Sequence, residues 1–188
     1  MRLLLLSVFG LFLLSSSIKK PAEKIFWTES EMLSWADFKG KVKANYNSTA
    51  NSAVGIETSF YFDRVMIDIV VKCYFVPKES WTKTKKNIYL LKHEQKHFDV
   101  GEIYARKMRK RFQQANFSND VEENKKTYAD IVNNINKEMR AFQIEYDEAT
   151  NHSIKKDVQE IWDTKIQEEL ESLAAYSNHE IIISPTEK

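Results

Sequence analysis

The feature that most constrains this chain is a change of hydrophobic period at Pro77. Before it, apolar residues alternate with polar or small ones. Val54, Ile56, Thr58 and Phe60 mark one such run. Val65, Ile67, Ile69, Val71, Cys73 and Phe75 mark the face of a second. Period two is the signature of a half-buried strand, and the short "FDR" between the runs predicts an antiparallel hairpin. After Pro77 the apolar residues recur at three- and four-residue steps, which predicts amphipathic helices over about 85–112, 121–148 and from near Ser153 onward. The third helix is expected to be capped by Ser153 and to bury Ile154, Val158, Ile161, Trp162, Ile166, Leu170 and Leu173. The reading is an α+β fold: a small antiparallel sheet or hairpin, then one helix packed on it, then two long C-terminal helices. The last residues, about 178–188, read as a flexible tail.

Residues 1–17 stand apart from this pattern. Arg2 precedes the mostly apolar stretch Leu3–Leu14, and Ser15, Ser16 and Ser17 follow. Basic start, short apolar core and small residues make the layout of a secretory signal peptide. The apolar stretch is shorter than the roughly 20 residues a spanning helix needs. The chain is therefore expected to be exported, periplasmic or extracellular, with no stable membrane insertion once the signal is cleaved. Residues 18–188 then make one domain, a size that supports a substantial core.

A net charge of +1 leaves no overall electrostatic footprint for nucleic acid. The dense basic run "RKMRKR", Arg106–Arg111, falls late in the first predicted helix and reads as a solvated face. Cys73 is the only cysteine and lies on the apolar face of a strand, so it reads as a small core residue and forms no internal disulfide.

The chemistry concentrates in "HEQKH", residues 93–97. On a helix, His93 and His97 lie about 40° apart around the axis and one turn apart along it, so both imidazoles reach one metal ion. Glu94 is rotated by about 100° from His93. There it can flank a metal and accept a proton from a bound water. This is the H-E-x-x-H arrangement of zinc hydrolases, with His93 and His97 as ligands and Glu94 as general base. The alternative for such a pattern is an ordinary polar patch on a helix. One tetrahedral position remains for a third protein ligand. Asp99 faces away from His97, and Tyr104 lies about 10 Å too far along the axis. Among downstream donors, "YDEATNHS" (Tyr146–Ser153) sits at a helix junction. His152 is the expected third ligand, with Asp147 behind it fixing its tautomer or taking its place as an alternative ligand.

Four stretches carry a resemblance: "LSWADFKG" (Leu33–Gly40), "LLKHEQKHFDVGEIYAR" (Leu90–Arg106), "YDEATNHS" and "QEIW" (Gln159–Trp162). Together they resemble the bacterial domain-of-unknown-function family 922, whose members are described as secreted zinc-dependent proteases. Ser153 stands where that family usually has glycine. The resemblance implies a zincin-like metallopeptidase holding one Zn2+ per chain and acting on a peptide or protein substrate. The alternative from a different class is a non-catalytic zinc-binding envelope or interaction protein. Intact Glu94 speaks for the enzyme, because a structural zinc site needs no such base.

Overall fold

The structure, a computed structural model, describes residues 23–42, 48–63 and 65–186. The predicted signal peptide lies outside them. Strand β1 (Ile25–Phe26), β2 (Ala50–Asn51), β3 (Val54–Phe62), β4 (Ile67–Phe75) and β5 (Trp81–Thr82) come first. They are followed by helices α1 (Ile88–Gln114), α2 (Val121–Thr150) and α3 (Lys156–Ser172), and by β6 (Glu180–Ile183). This is the α+β arrangement that the change of period implies.

The β3–β4 hairpin is the spine of the sheet, antiparallel with Val54 opposite Phe75 and Phe62 opposite Ile67. Alternation along β4 buries Ile67, Ile69, Val71, Cys73 and Phe75, none more than 1% exposed. Val65, expected on that same face, is instead 78% exposed, because the turn at Asp63 holds it: the Asp63 carboxylate accepts from the Val65 and Met66 amides, ahead of the strand. The other edge of β4 is shared. β1 pairs with Tyr74 and Phe75, and β6 pairs with Ile67 to Val70. The expected flexible tail is thus corrected. Ile181 pairs with Ile69 and is buried, since β4 offers an edge that only a distant segment can fill.

Helix α1 starts at Asn87, whose side chain accepts from the Leu90 amide, and it crosses the sheet at Gly101. A Cβ there would meet Val54 Cγ1 at 2.5 Å and Cys73 Sγ at 2.7 Å, so only glycine permits this approach. Cys73 is, as expected, a core residue. Helix α2 is capped by Asp120 and ends at Asn151 in the left-handed conformation. Helix α3 begins at Lys156, not near Ser153, and its N-cap residue Lys155 makes no side-chain cap. Ile154 precedes the helix and is exposed, and Ile161 within it is exposed too, while Trp162, Ile166, Leu170 and Leu173 enter the core.

The basic run Arg106–Arg111 is a solvated face only in part: Lys107, Lys110 and Arg111 reach solvent, whereas Arg106 and Arg109 do not. Arg109 is wholly buried and Arg106 nearly so. Arg109 donates to the Val71 carbonyl, which lies between the segments of β4 paired with β6 and β1, and to Glu102 and the Tyr176 carbonyl. No helix among the described residues is long and apolar enough to cross a membrane.

Candidate metal centre

The site forms where α1 meets α2. His93, Glu94 and His97 lie in the second and third turns of α1, and Asp147 lies in the last turn of α2. Both helices turn apolar stripes to the core, so the intervening polar positions meet above it. His93 Nε2 lies 3.0 Å from Asp147 Oδ1, and His97 Nε2 lies 3.1 Å from the same oxygen. The two Nε2 atoms are 3.2 Å apart. His93, His97 and Asp147 thus form a group of donor atoms that could hold one metal ion.

His152 takes a different place from the one expected. It is half exposed, and its Nδ1 lies 3.3 Å from Asp147 Oδ1. The roles are exchanged: Asp147 joins the two histidines and His152 stands behind it at the rim. The cause is local backbone. Asn151, His152 and Ser153 have φ of 48°, 50° and 74°, a left-handed run that swings the histidine away from the helix axis. Ser153, at the position where glycine was expected, is the most positive of the three.

Glu94 is buried beside the donors. Ser52 Oγ donates to its Oε2 at 2.7 Å. Burial pushes the Glu94 carboxyl above its ordinary range, opposed by His97 and by the Ser52 hydrogen bond. Burial lowers His93, against the pull of Asp147. Burial would lower His97 too, but the hydrogen bond and charge of Asp147, with Glu94 and Gln143, outweigh it and bring His97 up to about 9. Burial opposes ionisation of Asp147 as well, yet hydrogen bonds from the two histidines hold it well below the usual carboxylate range. Two carboxylates converge on two imidazoles, a charge balance suited to a cation.

Two supporting residues escaped the sequence reading. Gln143, one turn before Asp147 on α2, accepts from His97 Nδ1 and donates to the His97 carbonyl at 2.9 Å. Ser52, just after β2, orients Glu94. The i−4 spacing of Gln143 from Asp147 was a signal for the first; nothing local marks the second. Asp99 faces away as expected, accepting from Trp27 Nε1 and Gln95. Tyr104 packs on Phe142 instead. The site opens into a cavity of about 380 Å³ lined by residues 48–52 on one side and by Met139, Arg140, Gln143 and His152 on the other.

A family model described as "Bacterial protein of unknown function (DUF922)" matches residues 23–153. The chain belongs to this family. The match includes all four residues at the centre but ends before α3, so "QEIW" falls outside it. No curated protein and no solved structure matches the chain.

Proposed function

We propose that this chain is an exported zinc-dependent metallopeptidase that hydrolyses peptide bonds with Glu94 as general base. The triangle of His93 Nε2, His97 Nε2 and Asp147 Oδ1 carries this reading. Two ligands on a tetrahedral zinc at ordinary bond lengths stand about 3.3 Å apart. The three edges here are 3.0, 3.1 and 3.2 Å. Imidazole nitrogens and a carboxylate oxygen suit zinc, and three protein donors beside a cavity leave a position for water. Zinc held there supplies Lewis acidity, which lowers the pKa of water to about 7 and polarises a carbonyl.

The residues divide the remaining work. Glu94, oriented by Ser52, takes the proton of the attacking water and later delivers it to the leaving amine. Burial raises its pKa toward that task. His152 lines the cavity with its Nδ1 facing Asp147 Oδ1, so its imidazole steadies the third donor from the rim. Strand β2 pairs with β5 along one edge, and its residues line the cavity. An extended peptide adding to its other edge would be held by main-chain hydrogen bonds, which gives broad side-chain tolerance. The N-terminal signal-like sequence supports action outside the cytoplasm.

The test is metal analysis followed by digestion of a diverse peptide library. The wild-type chain is expected to carry about one zinc and to cleave; Glu94→Gln should keep the metal and lose about 10²- to 10⁴-fold in rate. Equal cleavage by the glutamine variant would remove Glu94 from the mechanism. Zinc binding with no cleavage by either would replace the enzyme by a non-catalytic zinc-binding envelope protein.

A further inference from the structure

The two histidines are held unequally. His97 has Gln143 on its Nδ1. His93 is 1% exposed, and its Nδ1 has no hydrogen-bond partner among the described residues. A metal-ligating histidine almost always engages its second nitrogen, which fixes the tautomer and the ring.

What lies beside His93 is α3, which runs parallel to α1. Tyr89 Oη donates to the Lys156 carbonyl at 2.8 Å, 67 positions on, and Arg106 Nη1 donates to the Leu170 carbonyl, 64 positions on. Between these ends, Asp163 feels the charges of Lys96 and Lys92. Offsets of 64 to 67 bring residues 157–160 level with His93. Within that span only Gln159 is wholly buried, and both polar atoms of its carboxamide lack a partner.

Two further groups share the region. The Tyr146 ring stacks on His93 at 4.5 Å and meets Trp162 at 5.6 Å, while its buried hydroxyl is unpartnered. Asp163 Oδ1 is unpartnered too, and its charge acts on Tyr146. A buried polar atom left unpaired costs about 1–3 kcal/mol. Five of them would consume most of the roughly 5–15 kcal/mol by which a domain is stable. Small rotations, or ordered water with several polar partners, would satisfy them.

We propose that Gln159 is the positioning residue for His93, its carboxamide holding Nδ1 directly or through a water shared with Tyr146 Oη and Asp163. This rests on the metal reading above. The amide is the side chain the position requires. When His93 Nε2–H donates to Asp147, Nδ1 is an acceptor and the carboxamide N–H donates to it. When Nε2 ligates, Nδ1 carries the proton and the carboxamide oxygen accepts it. A carboxylate or a leucine of similar size cannot serve both states.

Two substitutions in the full chain separate this role from simple packing. Gln159→Leu leaves His93 Nδ1 without its partner, so melting of the metal-free chain should fall, and zinc affinity against a competing chelator should fall about 10- to 100-fold. Gln159→Glu still accepts from Nδ1–H, so zinc affinity should return toward wild type while the buried charge lowers melting. Affinity unchanged in Gln159→Leu, or affinity and melting falling together in both variants, would overturn the proposal. A crystal structure of the metal-free wild type is the arm independent of metal. It should show Nδ1 within hydrogen-bond distance of the carboxamide or of a water it holds; Nδ1 bonded elsewhere would overturn the proposal. A chain that binds no zinc defeats the metal reading alone and leaves that arm decisive.

Discussion

Helix α1 carries two buried charged clusters about two turns apart, and they are built on opposite rules. In the C-terminal cluster, Glu102, Arg106 and Arg109 satisfy one another and the surrounding carbonyls. Arg109 alone donates to Glu102, Val71 and Tyr176, and Arg106 to Glu102 and Leu170. In the N-terminal cluster, three lone-pair donors, His93, His97 and Asp147, point at one spot beside a cavity, with a buried carboxylate alongside. Buried charge that is fully paired ties helix to sheet. Buried charge whose acceptors converge on a common point is arranged for something that binds there. On the proposed metal reading, the contrast separates structural polarity from functional polarity on a single helix.

Substitution should expose the difference. Glu102→Ala strands two buried guanidinium groups and should cost about 3–5 kcal/mol of stability, read from denaturant unfolding. Glu94→Gln, in the other cluster, relieves a carboxylate whose ionised form burial disfavours. Its metal-free chain should unfold within about 1 kcal/mol of wild type, or be more stable. If Glu94→Gln destabilised as strongly as Glu102→Ala, the two clusters would be of one kind and the comparison would fail.

The smallest effect comes from the junction that sets the third donor. Ser153 holds φ of 74°, where an L side chain is strained by roughly 1–2 kcal/mol. Ser153→Gly should raise stability by up to about 1 kcal/mol, part of the relief being lost to the greater freedom of glycine in the unfolded chain. A clear loss of melting temperature in that variant would mean that the serine side chain stabilises the turn.

How far the sequence reaches follows from the range of the interactions. His93, Glu94 and His97 were legible because helix geometry alone places them, and β3 and β4 because alternation is local. The choice between Asp147 and His152 was not legible, since it depends on three consecutive left-handed residues that no periodicity announces. The burial of Arg109 depends on a carbonyl of β4, 38 residues away. The strand at Glu180–Ile183 depends on a free edge more than a hundred residues earlier. Ser52 looks like an ordinary polar residue until α1 is laid beside it, and "QEIW" marks Gln159 without saying what its carboxamide faces.

The central claim is that Asp147, not His152, completes the donor set with His93 and His97. Zinc content by native mass spectrometry of Asp147→Ala and His152→Ala tests it directly. The structure predicts that Asp147→Ala loses the metal and that His152→Ala retains about one zinc per chain. Zinc retained by Asp147→Ala and lost by His152→Ala would contradict it.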